Sequence, residues 1–96
     1  MTDKRKAFEE KLDAQIKEWT AQIALFKAKA DNARAEAKVE YYKTIESLQH
    51  KRDAAKEKLH ELKESGDEAW DGLKAGAEKA WDEVKKAFHA ATAKFK

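Results

Sequence analysis

Between Asp3 and Glu64 the chain contains no glycine and no proline, and its apolar residues recur at every third or fourth position. This spacing returns a side chain to the same face of an α-helix at each turn, and it predicts a helical seam. The stripe consists of Phe8, Leu12, Ile16, Trp19, Ile23, Phe26, Ala30, Ala33, Ala37, Tyr41, Ile45, Leu48, Ala55, Leu59 and Leu62. Arg52 interrupts it once. The sequence therefore predicts an all-α fold.

The first strong helix-breaking signal is Ser65-Gly66-Asp67. Glycine is favoured just past a helix end because it adopts the left-handed conformation without a Cβ penalty. Asp67 is a residue type that caps a following helix by accepting backbone N–H bonds. We therefore predict that one helix ends near residue 64, that 65–66 form a hinge, and that an amphipathic helix covers 67–94.

Two architectures are compatible with this pattern, and both make 1–96 a single helical domain. The preferred one has a continuous helix over 3–64, roughly 93 Å long at about 1.5 Å per residue. The 67–94 helix then folds back beside its second half, and the indoles of Trp70 and Trp81 become shielded. The alternative is a bend near Asp31-Asn32, which gives a monomeric three-helix bundle. We prefer the long helix because the seam continues through Asp31-Asn32 and turn residues are missing there.

The long helix has a consequence for assembly. The apolar stripe of its first half has no partner within its own chain, so a second chain must cover it. Leu, Ile, Val and Phe together make up 15 of the 96 residues, which is few for a compact monomer of this size. Both observations predict coiled-coil or bundle packing in a homo-oligomer.

A second side of the first helix is also apolar or small. Leu25 and Val39 fall roughly 100–160° from the main stripe at about 100° per residue. Ala14, Ala21, Ala28 and Ala35 share that side. A helix of this kind is suited to contacts on two sides, although alanine is also simply the best helix former.

The C-terminal segment contains an eleven-residue repeat that aligns Trp70-Asp71 with Trp81-Asp82. Eleven residues make almost three helical turns, so the same face recurs with little drift. With the face formed by this segment, the predicted association interface comprises Phe8, Leu12, Ile16, Trp19, Ile23, Phe26, Tyr41, Ile45, Leu48, Leu59, Leu62, Trp70, Leu73, Trp81, Val84, Phe88 and Phe95.

Composition argues against several classes of function. The 21 basic and 19 acidic residues are interspersed, so specific nucleic-acid binding is not expected. No apolar stretch approaches the roughly 18 residues of a membrane span. Glu57 and His60 have a spacing found in di-iron bundles, but such sites need a second pair. Cysteine is absent. We predict no catalytic residues, no metal and no cofactor, and we expect a cytoplasmic protein that is not an enzyme.

Two segments resemble a family of small bacterial coiled-coil proteins labelled stress-response proteins. They are AKVEYYKTIESL at 37–48 and GDEAWDGLKAGAEKAW at 66–81. The resemblance extends from the region of Trp19 to Lys96. It implies a role under environmental stress, with no established activity and no functional residues to transfer.

The expected function is therefore that of a stress-associated structural or interaction protein that acts through helix–helix self-association. One alternative is a peripheral binder of lipid or membrane surfaces through residues 67–96, because amphipathic helices with aromatic residues can lie in a membrane interface. Another is a hydrophilic stress protectant, which the mean hydropathy of −0.97 favours. The aromatic residues on the stripes argue against the protectant.

Overall fold

The computed structural model describes residues 2–95, which form three α-helices joined by two short turns. Helix α1 spans Thr2–Asp31, α2 spans Ala35–Glu64 and α3 spans Asp67–Lys94. Met1 and Lys96, the ends of the predicted domain, lie outside the described residues. The all-α prediction is confirmed.

The predicted boundary between the last two helices is confirmed, since α2 ends at Glu64 and α3 begins at Asp67. The predicted left-handed glycine is wrong. Gly66 has φ −74° and ψ 162°, and Ser65 is likewise extended. Two extended residues make this turn, and the hydroxyl of Ser65 donates to the carbonyl of Leu62 at 2.7 Å. That bond satisfies a terminal carbonyl of α2 without a left-handed residue.

The preferred prediction of one continuous helix over 3–64 is wrong. The chain leaves the helix after Asp31 and re-enters it at Ala35, close to the alternative position at Asp31-Asn32. The bend folds the stripe of α1 back onto α2 and α3, so large side chains such as Trp19 and Ile23 are buried within the chain. Their burial outweighs the few helical hydrogen bonds that the turn omits.

The three helices run up, down and up along a particle of 51 × 19 × 17 Å. Helices α1 and α2 are antiparallel, as the Lys63–Asp13 ion pair at 2.7 Å shows. Helices α2 and α3 are also antiparallel, and Lys94 pairs with Glu40 at 3.1 Å near their other ends. Consequently α1 and α3 are parallel, and α3 packs against both other helices rather than against α2 alone.

The core contains small as well as large side chains. Ala30, Ala55, Ala77 and Ala91 are all buried. Alanine allows close approach of neighbouring backbones, and α2 lies close to both α1 and α3. The backbones of α1 and α3 are in close contact over less of their length, because aromatic rings lie between the two helices.

Replacing Trp19 with alanine should lower the free energy of unfolding by about 3–5 kcal/mol, because it removes a buried indole and leaves a cavity. Trp19 is only 2% exposed. The matched control is Leu25→Ala on the outer face of α1, where 62% exposure predicts a change within about 0.5 kcal/mol. Urea unfolding followed by circular dichroism measures both. Similar losses for the two variants would contradict this packing.

Candidate association interface

Almost all residues of the predicted association interface meet one another inside a single chain. Fourteen of the seventeen are buried in one apolar cluster, and Phe8 and Tyr41 are partly buried against it. Leu73 differs, since it is 37% exposed on the flank of α3. We call this folded single chain the closed form. In it, the bundle itself provides the partners that were expected from another chain.

An aromatic ladder joins α1 to α3. Phe8 meets Trp70 edge-on at 5.7 Å between ring centroids. Trp19 lies 5.2 Å from Trp81, and it stacks on Phe88 at 5.4 Å with 12° between the ring planes. The ladder ends with the ring pairs Phe26–Phe95 and Tyr41–Phe95, both at 4.6 Å. Ring pairs at these separations add to the energy of area burial, so this seam determines how α1 and α3 align. As predicted, the indoles of Trp70 and Trp81 are shielded, at 8% and 7% exposure.

Arg5 ties the beginning of α1 to the turn between α2 and α3. Its Nε donates to Glu9 at 3.0 Å and its Nη1 to Asp67 at 2.9 Å. Its Nη2 lies within 3.1 Å of three carbonyl oxygens, those of Leu62, Lys63 and Ser65. The planar guanidinium offers five donors in a fixed geometry, which suits contact with several acceptors. We call this set of contacts the Arg5 clamp.

Two carboxylates and one aromatic ring lie against the guanidinium of Arg5. The hydrogen bond to Glu9, followed by that to Asp67, raises the pKa of Arg5 above its ordinary value, although burial opposes the shift. The guanidinium carbon also lies 5.8 Å from the ring centroid of Trp70. Asp67 was predicted to cap α3, but the N-cap residue is Gly66, and the carboxylate of Asp67 accepts a hydrogen bond from Arg5.

This clamp was not predicted from the sequence. The spacing of four residues between Arg5 and Glu9 is a signal for a helical ion pair, and it could have been found. The contacts with the 65–66 turn had no local signal, because within one chain they arise only when the chain bends after Asp31.

The indole N–H groups of the two repeats differ in whether they make a hydrogen bond. Trp70 Nε1 donates to Glu9 at 3.0 Å, whereas Trp81 Nε1 is buried without a partner in the described residues. The sequence explains this difference, because Glu9 follows Phe8 as Thr20 follows Trp19, eleven residues later. The hydroxyl of Thr20 donates to the carbonyl of Ile16 and is too short to replace the Glu9 carboxylate.

The turn between α1 and α2 is held by few contacts. The hydroxyl of Tyr42 donates to Asp31, and the amide of Asn32 donates to the carbonyl of Ala28. Arg34 occupies the N-cap position of α2 with φ −67° and ψ 152°, and its side chain makes no capping bond. Nearby, Lys29 donates to the carbonyl of Phe95 at 3.0 Å.

Other sites considered from the sequence do not assemble. Glu57 and His60 are exposed, and among residues 2–95 no three side chains of the metal-binding types His, Asp and Glu gather in one place. No described helix combines the length and the apolar character needed to cross a membrane.

Replacing Thr20 with glutamate should supply the acceptor that Trp81 lacks. We expect the free energy of unfolding to rise by about 1–2 kcal/mol, because an unpaired buried donor costs about that much. Thr20→Met is the control, with similar length and no comparable acceptor. Both variants are made in an Arg52→Ala background, because Arg52 donates to Thr20 and would otherwise pair with the new carboxylate. Urea unfolding measures both, and an equal effect of the two variants would contradict this reading of the repeat.

The contact between Tyr42 and Asp31 should weaken at alkaline pH. The hydrogen bond to Asp31, followed by burial and the negative charge of Asp31, raises the pKa of Tyr42 above 10.0. A raised pKa in the folded chain means that the contact stabilises the fold below the ordinary pKa. That contribution disappears as pH rises through the raised value.

Absorbance titration of the Tyr41→Phe background reports Tyr42 alone. Asp31→Asn in that background should move the pKa of Tyr42 down toward its ordinary value. An unchanged titration curve would show that Asp31 does not hold this hydroxyl.

Comparisons of the chain with models of protein families, with curated proteins and with solved structures found no match. The resemblance to bacterial stress-response proteins therefore stays a prediction. The self-association proposed for the chain rests on the contacts of its own residues.

Proposed function

We propose that this chain is a non-enzymatic, stress-associated structural or interaction protein that acts through helix–helix association with further copies of itself. The aromatic ladder between α1 and α3 carries this proposal. It aligns two helices by rings at matching spacings, since Phe8 and Trp19 are eleven residues apart, as are Trp70 and Trp81.

The ladder does not depend on chain connectivity. Helices α1 and α3 are joined only through α2, and the ring contacts themselves involve no residue of either turn. The same rings can therefore align α1 of one copy with α3 of another.

The charge of the surface also supports association between identical chains. With 21 basic and 19 acidic residues, the formal net charge is +2. A net charge close to zero reduces repulsion between copies and favours association. Cytoplasmic location and the stress setting belong to the same proposal through the family resemblance.

The lipid-surface alternative requires a different rearrangement. The face of α3 that would contact lipid is turned into the bundle, where Trp81 pairs with Trp19. Residues 65–96 carry six basic and six acidic residues, so attraction to anionic lipid would be small compared with about 1 kcal/mol for each unopposed cation. The structure thus favours protein over lipid as the partner of this face.

Sedimentation equilibrium over a wide range of concentration tests the proposal. We expect species larger than 11.0 kDa to accumulate, and the melting temperature to rise with concentration, because association stabilises the folded state. Ile23→Ala should lower that melting temperature, since Ile23 is 3% exposed and its truncation costs about 2–5 kcal/mol.

A second measurement separates protein association from lipid binding. Tryptophan fluorescence should be blue-shifted in buffer and change little when anionic vesicles are added. A red-shifted spectrum that moves to the blue with vesicles would favour the lipid alternative. A concentration-independent melt of an 11.0 kDa particle would overturn self-association.

A further inference from the structure

We infer that the chain associates by helix exchange, in which the turn at 32–34 straightens, residues 2–64 form one helix, and α1 of each copy packs on α2 and α3 of a second copy. This inference rests on the proposed function and specifies its partner and geometry. Four observations support it: the main stripe, a second stripe, the chemistry of the turn and the direction of the helices.

The main apolar stripe keeps its helical spacing through the turn. Ala30, Ala33, Ala37 and Tyr41 follow one another at intervals of three, four and four residues. A turn that merely joined two independent helices would not need to preserve this spacing. Its preservation indicates a sequence that is also compatible with a continuous helix.

A second stripe crosses the turn as well. At alternating intervals of four and three, its members are Ala21, Leu25, Ala28, Asn32, Ala35, Val39 and Tyr42. In the closed bundle these residues are divided between two helices, and Leu25 and Val39 are each 62% exposed. In a continuous helix they form one heptad seam with Asn32 at its centre, and a single asparagine in such a seam can specify register.

Few features of residues 31–34 oppose their conversion to a continuous helix. Residues 31–34 include neither glycine nor proline, and no residue in 2–95 has a positive φ. The N-cap residue Arg34 provides no side-chain bond to α2. The bond between Tyr42 and Asp31 exists only in the closed form, since eleven residues of helix would separate them by about 16 Å.

The antiparallel direction of α1 and α2 allows a symmetric exchange. In the closed chain Lys63 pairs with Asp13, and Arg52 donates to Thr20 at 3.3 Å. Two continuous helices lying antiparallel about a two-fold axis near residue 37 reproduce both contacts between chains. The Arg5 clamp would likewise close on the 65–66 turn of the second copy, so exchange preserves it.

Concentration decides between the two forms. A short connection gives α1 a millimolar effective concentration next to its own α2, so the closed form dominates in dilute solution. Exchange requires the buried seam to open, so the two forms should interconvert slowly. A dimer formed at high concentration should therefore survive dilution for longer than a surface complex.

Cross-linking between different chains tests the exchange directly. Asp13→Cys and Lys63→Cys are prepared as separate single variants, and the natural chain contains no cysteine. After incubation together at high concentration, a short bismaleimide should join the two variants to each other. Leu25→Cys with Lys63→Cys is the control pair, which exchange leaves far apart and which should not cross-link.

Two variants of the turn should shift the dimer fraction in opposite directions. Asn32→Ala should raise the association constant roughly tenfold, because each of two chains gains helix propensity at that position. Arg34→Asp should lower it roughly tenfold or more, because aspartate caps α2 in the closed form. Ser47→Ala, at an exposed position that is helical in both forms, is the control and should leave the constant unchanged.

The outcomes separate the two proposals. Dimers that sediment without cross-linking between positions 13 and 63 would overturn helix exchange and leave self-association standing. Monomers at every concentration would overturn the proposed function itself. A shift of the dimer fraction in the same direction by Asn32→Ala and Arg34→Asp would overturn the role of the turn.

Discussion

Trp19 is the side chain on which the packing of α1 against α3 depends. It is among the largest fully buried side chains, and its indole lies between two rings of α3, those of Trp81 and Phe88. An indole of this size keeps the two backbones apart, and small residues such as Ala55 let α2 come close on the other side. The bundle is therefore asymmetric, with an aromatic seam on one side and tighter packing around α2.

The sequence was sufficient to predict what depends on local spacing. Apolar residues at intervals of three and four identified the buried faces, and all but Leu73 of the predicted interface residues are buried or partly buried. The Ser65-Gly66-Asp67 signal placed the second turn correctly. Leu73 stays 37% exposed within the chain, because a 3.6-residue period gives the face of a helix but not how far its partner extends over the flank.

What the sequence could not supply depends on which helix lies beside which. The contacts of Arg5 with the 65–66 turn join residues about sixty positions apart, and within a single chain they exist only after the chain bends. In an isolated chain, a continuous helix would leave Arg5 with Glu9 alone. The same limitation applies to the unpaired indole of Trp81. The residue at the position where an acceptor would be needed, Thr20, lies on another helix.

The two turns differ in how strongly the rest of the molecule determines them. At 65–66 the Arg5 clamp and the Ser65 hydroxyl bind the end of α2, so several contacts must break before this turn straightens. At 32–34 the side-chain bonds are those of Asp31 and Asn32, and both stripes continue through the turn as if it were helix. The apolar seam therefore specifies strongly which helix faces must pack together. It specifies only weakly whether those helices come from one chain or from two. This weak specification explains why the apolar spacing favoured a continuous helix across the first turn.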